Sequence, residues 1–301
     1  MALCGRAQLH AVTVAVVYIA RGIGAGLPAV EEFFDAYLRF PPGYPHRLVI
    51  IAKGWEAVPG LPGLIEQVKA IGAELVTLPD DGFDWGAYMR IAPELKETYV
   101  CLLNTHSRPM VTGWLALLLQ PALLPGVGAV GATGSWGSMS ASWPLFEPDP
   151  SSLALYPARL ALSLIRFCRN LGKFSPFPNP HLRTNALLVN RELFVSFCSD
   201  HDVPRSKRDA HTMESGRRGF TSHLKSLGLR TLVVGADGIA YAPDAWINSG
   251  TFRVPDQSNL LVSDNQTRYY QQAGCQLKRR LENAAWGQAQ TLPISSHSTH
   301  S

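Results

Sequence analysis

Tyr99-Val-Cys-Leu-Leu-Asn104-Thr-His106-Ser-Arg108-Pro109 runs five apolar residues straight into five polar ones and a proline. An apolar run this short reads as a strand buried on both faces, ending where the polar residues begin. The same signal recurs upstream at Val12–Ala20, Leu48–Ala52 and Glu74–Leu78, and downstream at Val127–Ala132. Between these runs lie segments with helical spacing: Pro28–Phe40, Leu61–Ile71 closed by Gly72, Asp84–Leu95 and Thr112–Leu119. Strands that alternate with helices predict an α/β fold, a mainly parallel sheet covered by helices on both faces. Such a sheet binds ligands beyond the carboxyl ends of its strands, so Asn104 to Arg108 stand where chemistry is expected.

The second half of the chain changes character. Ser135–Pro150 is rich in Ser, Gly, Trp and Pro and reads as a long functional loop. Leu153–Leu171 predicts a long amphipathic helix, Thr184–Val189 a strand, and Asp209–Leu227 a helix ended by Gly228. Thr231–Gly235 and Ile239–Tyr241 predict a hairpin about Asp237-Gly238. One domain is expected over 1–285, with halves 12–134 and 135–285, followed by a disordered tail at 286–301.

Composition narrows the function classes. Of 301 residues, 46% are apolar and 17% charged, which excludes wholesale disorder, and the net charge of +4 is no nucleic-acid footprint. Five dispersed cysteines without CxxC spacing read as small buried hydrophobes in a reducing cytosol. Val12–Ala20 is a poor signal peptide. No charge occurs from Pro109 to Phe146, yet Pro121, Pro125, Gly126 and Gly128 interrupt that stretch. It therefore predicts a buried helix and a buried strand, and no transmembrane span.

Two glycine signals fail on context. Gly22-Ile-Gly24-Ala-Gly26 lacks the spacing of a dinucleotide fingerprint, and the next strand ends at Lys53 where an NAD site wants a carboxylate. Lys53 beside a 2′-phosphate leaves an NADP-binding oxidoreductase as a weaker alternative. Gly126-Val-Gly128-Ala-Val-Gly131 matches the pattern but follows a helix, so its glycines read as close packing within a strand. No P-loop, HExxH or G-x-S-x-G elbow occurs.

The opening segment, with Gly113-Trp114 after it, resembles the fourth strand of GT-A-fold glycosyltransferases of the inverting family 2. Asp81-Gly82-Phe-Asp84-Trp-Gly86-Ala87 resembles the loop that meets the nucleotide-sugar, and Gly128-Ala-Val-Gly131 the strand after the metal motif. Arg183-Thr-Asn185-Ala-Leu-Leu-Val189 is similar to the acceptor-side strand, and Glu214 falls near the family's carboxylate base. The resemblance covers residues 12–245 and rests on the order and spacing of these segments. It implies a nucleotide-binding half at 12–134, a mixed acceptor-side half at 135–285, and a nucleotide-sugar donor with a saccharide or lipid-linked acceptor. It also implies work in cell-surface polysaccharide assembly, in the cytoplasm, with peripheral contact at the inner face of the membrane left open.

The departure lies at the strand end. Where the family places an Asp-x-Asp cluster on Mg²⁺ or Mn²⁺, this chain has Asn104 and His106. A hard cation prefers charged oxygens, so a metal stays possible while its usual ligands are missing and no metal ligand is assigned. The expected roles follow. Glu214 is the catalytic base with Asp209 in reserve, and Tyr18, Arg21, Lys53, Asp84, Asn104, His106 and Arg108 bind the donor. Trp136, Trp143, Asn185, Arg217 and Arg218 face the acceptor. Each of these also has a plain structural reading, such as a helix cap for Asp84 or a turn cap for Asn104. Asp264-Asn-Gln266-Thr-Arg268-Tyr269 holds a Gln and an Arg at the wrong spacing for the Gln-x-x-Arg-Trp signature of processive members. Two other outcomes stay open, a non-catalytic nucleotide-sugar or glycan-binding protein of this fold, and the NADP enzyme.

Overall fold

The structure, a computed structural model, describes residues 12–140, 165, 168, 170 and 172–287. Trp143 lies outside the described residues, and so does the expected helix Leu153–Leu171 except for three positions, all helical.

Five apolar runs form the strands expected of them: β1 (Val14–Arg21), β2 (Arg47–Lys53), β3 (Glu74–Leu78), β4 (Tyr99–Leu103) and, after the two-residue β5 (Arg108–Pro109), β6 (Val127–Gly131). The remaining strands are β7 (Gly134–Ser135), β8 (His181–Leu182), β9 (Leu187–Asn190), β10 (Arg230–Val234), β11 (Ala240–Tyr241) and β12 (Val262–Ser263). The main sheet has the order β11-β10-β6-β9-β4-β1-β2-β3. β3, β2, β1 and β4 are mutually parallel, β9 runs against both β4 and β6, and β10 is parallel to β6. The fold is therefore the expected mixed α/β arrangement, a mainly parallel sheet with a mixed second half. Because β9 is reversed, its leading residues Arg183 to Ala186 lie at the same edge as the carboxyl ends of β4 and β6.

Helices cover both faces because β1 is apolar on both. Val14, Val16, Tyr18 and Ala20 pack in one cluster with Phe33 of α1 (Gly26–Arg39), Leu64 of α2 (Leu61–Ala70) and Trp114 of α4 (Trp114–Ala122). Ala15, Val17 and Ile19 pack in the other with Trp85 of α3 (Phe83–Ile91), Phe194 and Phe197 of α5 (Arg191–Ser199), and Met213 of α6 (Lys207–Ser215). Burying a side chain of this size contributes about 1.5–3 kcal/mol. The alternation of β1 thus fastens both layers.

Three expectations change. The helix Asp209–Leu227 is two, α6 and α7 (Phe220–Ser226), broken at Gly216, where extended backbone ends the first helix and a Cβ would meet the Thr212 carbonyl oxygen at 2.3 Å. The expected tail begins too early, because Trp286 closes α9 (Cys275–Trp286) and is buried against Phe252 and Trp136. Of the described cysteines Cys101 and Cys198 are buried, whereas Cys168 and Cys275 are exposed. The charge-free stretch holds α4, which runs on through Pro121 to Ala122, and β6, where Gly128 packs against Leu229. Among the described residues no helix is long and apolar enough to cross a membrane.

Candidate active site

The carboxyl ends of β1, β2 and β3 carry Arg21, Lys53 and the Asp80–Asp84 turn, and these line a cleft of about 530 Å³ with Arg90 and residues 202–205. Lys53 is buried, at 2% exposure. Its ammonium donates to the carbonyls of Asp81 (2.9 Å) and Phe83 (2.7 Å) and lies 3.7 Å from Asp80 Oδ1. Arg21 closes a two-point pair on Asp80, with both contacts at 3.0 Å. The arginine hydrogen bond holds the Asp80 carboxyl below the usual carboxylate range. Burial lowers the Lys53 ammonium, with Asp80 opposing. Arg21 and Lys53, two of the cations expected on the donor, are thus bound to an aspartate, and the Lys53 ammonium is spent on Asp80 and two carbonyls rather than left for the 2′-phosphate of NADP.

The Asp81–Asp84 turn needs that lysine. Gly82 (φ 67°) and Phe83 (φ 56°) are successively left-handed, and a Cβ on Gly82 would meet Val203 Cγ1 at 2.6 Å. A non-glycine residue there costs on the order of 1–3 kcal/mol, and the two Lys53 hydrogen bonds hold it. The turn leaves the Phe83 ring exposed on the cleft and places Asp84 in the first turn of α3 without a side-chain cap bond. Burial pushes the Asp84 carboxyl up, Lys53 opposes, and Glu214 adds to the push.

Glu214, in the last turn of α6, does not line the cleft, yet shares its electrostatic surroundings with Asp84. It is half-buried, and its Oε1 accepts from the Thr184 backbone N–H (3.1 Å) and hydroxyl (3.4 Å), which fixes it at the leading end of β9. Two further groups feel its charge. The His181 imidazole is lowered by burial, with Glu214 opposing, and its Nδ1 donates to the Asn179 carbonyl. The Tyr88 hydroxyl, fully buried, is raised by burial and then by Asp84, and has no hydrogen-bond partner among the described residues. Asp84 and Glu214, from distant parts of the chain, thus lie within reach of each other's charge. Asp209 is placed elsewhere, bonded to Ser206 Oγ and facing Lys173 at 3.7 Å.

The other expected residues have these positions. Tyr18 is fully buried, stacked on Phe33 and donating to the Thr105 carbonyl at 2.8 Å. Asn104 Oδ1 accepts the His106 N–H at 2.9 Å, capping the turn after β4. Asn185 is buried, accepting from the Thr133 hydroxyl at 2.6 Å and donating to the Val262 carbonyl at 2.9 Å, so its amide is used inside the protein. Trp136 is half-buried, bonded to the Pro243 carbonyl and set edge-on to Trp286. Arg217 and Arg218 are exposed, with the Arg217 guanidinium on the Phe174 carbonyl. Arg108 pairs with Glu32 of α1.

Beside this turn stands a group that sequence reasoning did not assign. β5 pairs with β12, matching Ser263 to Arg108, and so sets α8 (Asn265–Gln272) against residues 104–108. Arg268 donates to the His106 carbonyl at 3.1 Å. Asp264, fully buried, pairs with Arg183 at 2.8 Å and caps α8 at Thr267. Arg253, in a left-handed position at φ 45°, donates to Gln266 and, like Arg183, lies over the Phe252 ring; burial brings its guanidinium down to about 10. The sole advance signal was the Gln266 and Arg268 pair. The His106 imidazole is lowered by burial and by Arg268, so it brings hydrogen bonding to the site and little charge.

A divalent metal does not fit these residues. Asn104 already spends Oδ1 on the turn, and a guanidinium occupies the His106 carbonyl. Among the described residues no group of three or more His, Cys, Asp and Glu is placed to hold a metal ion.

No family model and no curated protein matches the chain. Solved structures do. A mannosyltransferase, PcManGT from Pyrobaculum calidifontis, in complex with GDP-Man and Mn2+, aligns at 15% identity and a TM-score of 0.45 over 76% of this chain and 56% of its own. Glucosyl-3-phosphoglycerate synthase from Mycobacterium tuberculosis aligns at 16% and 0.35 over 61% and 58%. Mannosyl-3-phosphoglycerate synthase from Rubrobacter xylanophilus aligns at 18% and 0.34 over 61% and 55%. The chain spans little more than half the length of each. Similarity of this degree says nothing about substrate.

Proposed function

We propose that this protein is a glycosyltransferase that moves a sugar, with inversion, from a nucleotide-sugar to a hydroxyl acceptor, a saccharide or lipid-linked saccharide. One observation supports it above the others: a fixed, half-buried carboxylate, Glu214, shares the carboxyl edge of the sheet with Asp84, which lines the 530 Å³ cleft. The nucleoside takes the cleft, with the exposed Phe83 ring as a stacking face and Asp84 as a hydrogen-bonding partner. Glu214 accepts the acceptor's hydroxyl proton as that oxygen attacks the anomeric carbon from the side opposite the diphosphate. The bond from the anomeric carbon to the phosphate oxygen breaks, and the electron pair leaves with the diphosphate. Thr184 orients the base through two hydrogen bonds to one oxygen, leaving the other carboxylate oxygen for the proton.

Calorimetry with UDP-, GDP- and dTDP-sugars, followed by transfer assays on the donor that binds, tests this reading. Glu214→Gln keeps an acceptor oxygen for Thr184, so the variant should fold and bind donor as the wild type does. Its kcat should fall about 10²–10⁴-fold. Absence of binding by every nucleotide-sugar removes the reading, and donor binding with unchanged turnover in Glu214→Gln removes the base assignment.

A further inference from the structure

The strand end where the resemblance implies two aspartates is instead ringed by arginines. The Arg268 guanidinium is half-buried on the His106 carbonyl and 3.4 Å from the Ser263 hydroxyl. Among the described residues no carboxylate forms an ion pair with it. Arg108, four residues after Asn104, is matched in the β5–β12 ladder to Ser263, the residue whose hydroxyl Arg268 approaches, and its guanidinium is lowered by burial and then by Arg268. Of the nearby carboxylates, Asp264 is committed to Arg183 and to the cap of α8, and Glu32 approaches Arg108 from the exposed side of α1. Two neighbouring, partly desolvated guanidiniums, of which among the described residues Arg108 alone has an ion-pair partner, the exposed Glu32, favour a multiply charged anion, because each N–H fork matches phosphate oxygens.

We propose that Arg268 and Arg108 form a diphosphate-binding cradle at the carboxyl end of β4, supplying as fixed side-chain charge what a divalent cation supplies elsewhere. For its ligand the proposal rests on the glycosyl-transfer reading; the anion site itself does not. When the anomeric carbon–oxygen bond breaks, the charge that develops on the leaving diphosphate lies on these two guanidiniums. Asn104 then serves as the cap that shapes the turn, and the Asp264–Arg183 pair holds the start of α8 so that Arg268 reaches back. A dication brought to His106 meets the Arg268 charge head-on, so metal should add nothing to binding.

Calorimetry on the full chain in EDTA, with inorganic pyrophosphate, the nucleoside diphosphate of the donor and the bare nucleoside, tests the cradle. Pyrophosphate and the nucleoside diphosphate should bind in EDTA and change less than about twofold on adding Mn²⁺. Arg268→Gln should weaken both about tenfold or more and leave the nucleoside unchanged, with Arg268→Lys partly restored and Arg108→Gln additionally weakened. Melting curves confirm that each variant is folded. Binding that appears only with Mn²⁺, or pyrophosphate binding untouched in both the Arg268→Gln and Arg108→Gln proteins, overturns the cradle while leaving glycosyl transfer standing. Arg268-dependent pyrophosphate binding with no nucleotide binding keeps the cradle and removes the transfer reading. A loss in Arg268→Gln confined to phosphate monoesters, with pyrophosphate unaffected, also overturns it.

Discussion

Replacing Asp80 by Asn separates the two cations that converge on it. The Arg21 half of the pair is 45% exposed on the arginine side and should contribute no more than about 1 kcal/mol. Lys53 is different, since at 2% exposure it is left with a buried charge once Asp80 is neutral. Removing one partner of a buried pair costs about 3–5 kcal/mol. The two carbonyls that still accept from Lys53, at 2.9 and 2.7 Å, and the 17% exposure of Asp80 place the cost lower, at about 2–3 kcal/mol. For a chain of this size that is a drop of roughly 3–5 °C in Tm. The pH dependence identifies the cause. The Asp80 carboxyl is held below its ordinary value, so its contribution is present above the unfolded carboxylate range and lost as pH falls through the folded value. The Lys53 ammonium is lowered, so in the alkaline direction the pair fades as that proton leaves. Thermal unfolding of wild type and Asp80→Asn from about pH 2 to pH 10 should therefore show a gap widest near neutrality and narrowing at both ends. A gap that is constant across pH, or absent, refutes the ion-pair account of Lys53.

Other outcomes follow from the same geometry. Burial and Glu214 push the Asp84 carboxyl up, so its favourable protonated form is fully present below the unfolded carboxylate range and is lost as pH rises through the folded value. Asp84→Asn should accordingly melt above the wild type at neutral pH, by a margin that closes in acid, while donor binding weakens; a neutral-pH melt below the wild type contradicts this. Trp286→Ala should cost about 3–5 kcal/mol in urea unfolding, since the ring is buried and its Nε1 donates to the carbonyls of Phe252 (2.9 Å) and Arg253 (3.2 Å). A change below about 1 kcal/mol would show that the Trp286 ring is dispensable to the fold.

The fold was legible because its determinants are local. In the first half β1, β2, β4 and β6 are short buried apolar runs, α1 to α4 are runs at helical spacing, and the burial of β1 on both sides follows from a stretch apolar on both faces. The break at Gly216 was less visible, because apolar residues continue at helical spacing across it and only the close approach to Thr212 ends the turn. Trp286 reads as tail because nothing in its neighbours announces Phe252 and Trp136, which the fold brings from elsewhere in the chain.

The candidate site divides along the same line, and the division bears on function. Lys53 ends a strand and looks like a phosphate contact, but its fate is set by the register of β2 on β3. Lys53 faces Leu78, so Asp80, two residues further on, reaches its ammonium. A parallel register across a helical crossover cannot be read from a single chain. Arg268 is reached through β5 and β12, two residues each and too short for any periodicity, yet that ladder sets a helix from near the end of the chain beside the turn after β4. The same two registers exchange the roles of the cations. Arg21 and Lys53 are neutralised by Asp80, while Arg268, without an ion-pair partner among the described residues, stands at the strand end where Asn104 and His106 replace acid. Positive charge for a leaving group is therefore best sought in residues whose counter-ion the fold withholds. Asp80→Asn sharpens the comparison: should it tighten pyrophosphate binding as much as Arg268→Gln weakens it, the phosphate belongs at Arg21 and Lys53 after all.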